Sequence, residues 1–105
     1  MKKYLLIIIA LLLAVSHSIA AGQKYSYKPE AGFVPNEKTA IAIAVAVWSP
    51  IYGGKIIKGE KPYKAVLTNG VWHVEGSLPK GKMGGVAEIE ISKEDAKILR
   101  VSHGK

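Results

Sequence analysis

The most regular pattern of apolar and polar positions lies at residues 61–76, KPYKAVLTNGVWHVEG, where two alternating runs flank Asn69-Gly70. A two-residue hairpin loop needs positive φ at both central positions, and Asn-Gly adopts it readily, so the pattern predicts a β-hairpin. The loop length then sets the pairs: Thr68 with Val71, Leu67 with Trp72, Val66 with His73, Ala65 with Val74, Lys64 with Glu75 and Tyr63 with Gly76. Successive side chains of a strand point to opposite faces, so Tyr63, Ala65, Leu67, Trp72 and Val74 share a predicted core face. Lys64 and Glu75 form a cross-strand charge pair on the other face, which also carries His73.

The same alternation returns at Ala87, Ile89 and Ile91 with Glu88 and Glu90 between them, and predicts a half-exposed strand. Lys93 to Ala96 turns the chain, and Lys97 to Ser102 forms a last strand with Leu99 and Val101 inward. Between Val34 and Pro50 the pattern fits two periods, because Ile41, Ile43, Val45 and Val47 alternate with alanine, yet a helix apolar all round would look the same. The ends decide for a helix over Glu37 to Ser49: Asn36 is a good N-cap, Glu37 lies in the first turn, alanine favours helix, and Pro50 is a stop signal. Apolar on nearly every side, this helix needs cover on more than one face. Ile56-Ile57 fits a short helix or a short strand. Leu78 to Gly85 is a glycine-rich connector without the spacing or following helix of a phosphate loop. One helix followed by four antiparallel strands gives an α+β fold, a roll with the helix in the concavity of a curved four-stranded sheet.

The N-terminus changes the picture of where this domain works. Lys2 and Lys3, the apolar run Tyr4 to Val15 and the triplet Ser18-Ile19-Ala20, small at its first and last positions, have the order of an export signal cleaved between Ala20 and Ala21. The 12 apolar residues from Tyr4 to Val15 fall short of the roughly 20 that a membrane-spanning helix needs. The expected organisation is a signal peptide over 1–20, an extended leader over 21–35 and a folded domain over 36–105, exported to the periplasm with no stable membrane anchor after cleavage. With no cysteine, the chain can be neither a lipoprotein nor a disulfide-bonded protein. A mature chain of this size is marginal alone and gains stability from a partner or from a second copy as a homodimer.

Of the 15 Lys and Arg, Lys2 and Lys3 leave with the signal, so the mature chain has 13 against 8 Asp and Glu, a net charge of +5. The basic residues scatter, with Lys55, Lys58 and Lys61 in one loop and Lys80 and Lys82 in another, and neither cluster has the density or aromatic interleaving of a nucleic-acid groove, which argues against nucleic acid as a partner. Candidate acid–base groups are few. Asp95 falls in a turn, His73 on an outer face and His103 near the C-terminus, and none has an evident partner in the sequence. The reading is therefore no enzyme, no catalytic residue, no cofactor and no metal site, because two mature histidines make none without carboxylates placed beside them.

Three blocks, NEKTAIAIAVAVWSPIYG at 36–53, KPYKAVLTNGVWHVEGSLPKGKMGG at 61–85 and IEISKEDAKILRVSHGK at 89–105, resemble in their order and spacing the small NTF2-fold immunity proteins of bacterial polymorphic toxin systems. The resemblance implies an NTF2-like or cystatin-like roll that binds and neutralises a cognate toxin. Export implies a toxin acting in the periplasm, since the two must meet there. The residues that the core does not need, Lys64 and His73 on the outer face and Lys80 and Lys82 in the glycine-rich loop, are the candidate partner contacts, with Tyr52 or Tyr63 as an aromatic anchor. Two other readings stand beside this one. The Ala-rich helix, the hairpin and EIEISKEDAKIL also resemble a PepSY-like peptidase-inhibitory module, and larger NTF2-like proteins are enzymes. The segment Trp48 to Gly53 and the loop LPKGKMGG favour the immunity family.

Overall fold

The computed structural model describes residues 26–104; the proposed signal peptide and its cleavage site lie outside them. Helix α1 spans Glu37–Tyr52 and a short helix α2 spans Gly54–Lys58. The strands β1 (Lys64–Thr68), β2 (Val71–Glu75), β3 (Ala87–Ser92) and β4 (Ile98–His103) follow, antiparallel, in the spatial order β1-β2-β3-β4. The sheet is curved and unclosed, with α1 against one face, as the α+β roll requires.

Asn36 starts α1 as its N-cap, its Oδ1 accepting hydrogen bonds from both the amide and the hydroxyl of Thr39 at 2.9 Å. Ala40, Ala44 and Trp48, spaced by four, form its buried stripe. The two alanines let the helix lie close on the sheet, and Trp48 fills the space beyond them, donating its indole N–H to the Glu88 carbonyl at 3.3 Å. The opposite stripe, Ala42, Ala46 and Pro50, is exposed, and α2 covers part of the flank through buried Ile57.

Pro50 does not end the helix, which continues to Tyr52. Proline removes only its own N–H bond, to the Ala46 carbonyl, and Ala46 is exposed where solvent can take that place. The helix stops at Gly53, whose φ of 99° suits glycine and whose N–H donates to the Ser49 carbonyl at 2.9 Å.

The hairpin has the expected register, Lys64 opposite Glu75 through Thr68 opposite Val71, turned by Asn69 and Gly70 with φ of 49° and 76°. Trp72 and Val74 are buried, and Ala65 and Tyr63 pack against the core. Leu67 departs from its expected core position: two residues before the turn, near the end of edge strand β1, it is 42% exposed. A second correction concerns β4. Ile89 pairs with Val101 and Glu90 with Arg100, but Ile91 pairs with Ile98, so Leu99 is the extra residue of a β-bulge and stays largely exposed instead of turning inward. The segment before α1 is tied to the core. Val34 is fully buried, its N–H donates to the Lys93 carbonyl at 3.0 Å, and its carbonyl accepts the indole N–H of Trp72 at 2.8 Å.

Candidate functional site

The end of the roll beyond the C-terminus of α1 carries a pocket of about 430 Å³ between α2 and the Leu78–Gly85 loop. Ile56, Leu78, Pro79 and Met83 supply its apolar wall, Lys55 and Lys82 its rim, and Glu60 and His103 its floor. Glu60 is a charged residue inside the core, only 4% exposed. One carboxylate oxygen accepts the Ala87 N–H at 2.7 Å and the other lies 2.8 Å from His103 Nε2. Gly76 makes room for it, since a Cβ there would stand 2.5 Å from Glu60 Oε1.

His103 Nδ1 in turn lies 2.9 Å from the Gly104 carbonyl, so both ring nitrogens face acceptors and the doubly protonated ring satisfies both. The hydrogen bond to Glu60, helped by that to Gly104, holds the His103 pKa above its ordinary value against the opposing effect of burial. Tyr52 packs its ring on His103 with centroids 5.0 Å apart. Tyr63 donates its hydroxyl to the Ile57 carbonyl at 2.7 Å and packs on Trp48; burial, with the Glu60 charge, pushes its pKa up.

On the outer sheet face, register stacks Lys64, Glu75, Glu88 and Ser102 in one row and Val66, His73, Glu90 and Arg100 in the next. His73 Nε2 lies 3.4 Å from Glu88 and Nδ1 3.8 Å from Glu90, which also meets Arg100 at 3.5 Å. Ligand atoms of His73, Glu75 and Glu88 lie within 4.8 Å of one another and, among the described residues, are a group with the spacing to hold a divalent cation. Lys64 stands opposite Glu75 in the register, and Arg100 pairs with Glu90 beside the group. Both histidines that look unpartnered in the sequence therefore have carboxylate neighbours, His103 through a buried glutamate and His73 through strand pairing.

The partner contacts expected from the sequence do not form one surface, but divide among three places. Lys82 lines the pocket and Lys80 shares its loop, with Tyr52 beneath at His103. Lys64 and His73 lie on the outer face, and Tyr63 is held in the core flank below α2. Glu60 escapes a reading of the sequence because it sits in a Gly-Glu-Lys-Pro stretch with the composition of a solvated loop. Only the glycine at 76, which makes space for it, leaves a trace in the sequence, and that trace is unreadable without the fold.

Two relatives from Escherichia coli (strain K12) are similar to this chain. Uncharacterized protein YbbC is 39% identical over 83 residues, 78% of this chain and 66% of its own length. Uncharacterized protein YhhH is 37% identical over 73 residues, 69% of this chain and 58% of its own. The chain thus spans less than two thirds of the length of either relative. No solved structure matches it. Residues 39–105, which hold α1 but for its first two residues, the hairpin and both remaining strands, match the family described as NTF2 fold immunity protein. With that match carrying most of the described domain, the chain belongs to the NTF2 fold immunity proteins.

Proposed function

We propose that this protein is exported, binds a cognate toxin and neutralises it in the periplasm. The observation that carries the reading is an immunity domain over 39–105 behind an N-terminus with the charge, apolar run and small-residue site of an export signal. Its action is binding, not catalysis. The parts free to make contact are those the core leaves at the surface, the lysine-bearing α2 and the Leu78–Gly85 loop with Lys80 and Lys82 at the pocket end, and the outer face with Lys64 and half-exposed His73. The mature charge of +5, from 13 basic and 8 acidic residues, suits an acidic partner surface better than mimicry of a phosphate backbone.

The test is co-expression with a toxic product of a neighbouring reading frame, directed either to the periplasm or to the cytoplasm. The full chain should rescue growth against the periplasmic toxin, whereas a chain starting at Ala21 should not. Protection by the truncated chain against that toxin would refute periplasmic action.

A further inference from the structure

We infer that the pocket between α2 and the Leu78–Gly85 loop is where the protein partner docks, receiving an apolar side chain flanked by carboxylates; this rests on the toxin-neutralising reading above. The floor is already engaged: Glu60 is held by the Ala87 amide and His103, and both nitrogens of His103 face acceptors of this chain. Such a floor offers an incoming polar donor little, while the wall offers apolar surface. Ile56 and Met83 are 57% and 98% exposed, although large apolar side chains are ordinarily withdrawn from water. Ile56 is placed by its neighbour on α2, buried Ile57, and Met83 stands in the loop that joins β2 to β3.

Charge chooses the occupant. Lys55 and Lys82 line the rim, and neither they nor Lys58, Lys61 and Lys80 are ion-paired among the described residues. The acidic lining residue, Glu60, is paired to His103. A basic rim around an apolar hollow complements an acidic segment with an apolar anchor. A hollow of about 430 Å³ takes an inserted side chain, where a flat lipid surface would leave it unfilled.

The first arm uses anilinonaphthalene sulfonate, an aromatic body with one anionic group, on the folded protein. It should bind at a single saturable site, with affinity lowered about tenfold or more in Ile56→Glu and in Lys82→Glu but unchanged in Lys38→Glu at the far end of α1. Unaltered melting curves must accompany these values, and Met83→Glu, at a fully exposed position, repeats the test if Ile56→Glu melts early. Equal binding by all variants overturns the proposal and leaves the toxin-neutralising reading standing. The second arm uses the purified toxin encoded beside the gene. The same variants should weaken its binding about tenfold or more. If wild-type protein binds the toxin and the pocket variants bind it equally well, the pocket is not the dock. If wild-type protein does not bind that toxin, the neutralising reading fails and the pocket proposal with it. Pocket-dependent binding to phosphatidylglycerol vesicles, in place of the toxin, overturns the proposal in favour of a membrane surface.

Discussion

Glu60 and His103 show how a charge can be kept inside so small a domain. A buried carboxylate is costly unless its oxygens are taken up, and here an amide and an imidazolium do so. Glu60→Ala would orphan both, and should cost about 2–3 kcal/mol in a denaturant melt at pH 6. The pair also sets a pH dependence. His103 has a folded pKa raised above 6.5, so its contribution is fully present below about pH 6.5 and is lost as the pH rises through the folded value. Melting temperature should therefore fall on the alkaline side for wild-type protein, and His103→Gln should flatten that fall. Glu60→Gln, which keeps an oxygen for the Ala87 amide, should flatten it too. An unchanged slope in His103→Gln would assign the effect to another group. None of this is legible in the sequence, because a glutamate becomes a core residue only when residues 60, 76, 87 and 103 meet, and local composition carries no trace of that.

The hairpin is where sequence and structure agree most closely, and the reason is physical. A two-residue Asn-Gly turn leaves no freedom of register, and one slip would carry Trp72 and Val74 to the outer face. Trp72→Ala should cost about 3–5 kcal/mol, since it empties a buried site and leaves the Val34 carbonyl without its donor. His73→Ala, on the outer face, should cost far less; equal losses would contradict the burial of Trp72. Element ends are less legible. The helix passes Pro50 because a proline in the last turn gives up a single bond on an exposed side, and the decisive stop is Gly53. Gly53→Ala should then cost about 1–3 kcal/mol from backbone strain alone, because the nearest atom to an added Cβ, Ile56 Cδ1, is 4.0 Å away. Thermal melts of that variant beside Gly54→Ala, where φ is not positive and nothing crowds the Cβ, separate strain from packing. Leu99 escapes the alternation because a bulge adds one residue to β4, and nothing in ILRVSH marks where a ladder will skip.

Taken whole, the molecule sets one helix and a curved sheet against each other and leaves three surfaces open: the pocket end, the charged outer face and the alanine stripe of α1. Helix α2 and the Leu78–Gly85 loop, distant in sequence, converge at the pocket end, which is why the lysines at 55 and 82 read as scattered charge until the fold joins them. A domain this small has little stability in reserve, so a ligand that binds only the folded state should register strongly. Toxin at a free concentration of about 100 times its Kd adds about 2.7 kcal/mol, and each kcal/mol moves the melting temperature of a domain of 60–100 residues by about 4–8 °C. Toxin should thus raise the melting temperature by roughly 10–20 °C. In the double variant Lys80→Glu and Lys82→Glu the free protein should melt as before, because both side chains are exposed, while most of the toxin-induced rise disappears. Added salt should shrink the wild-type rise in the same direction, since exposed charges are screened. A full rise in the double variant would move the interface off the Leu78–Gly85 loop, and the comparison would then pass to Lys55 on α2, to Lys64 and His73 on the outer face and to Ala42 and Ala46 on the exposed helix stripe, where a bulky substitution should abolish the rise if that stripe is the contact.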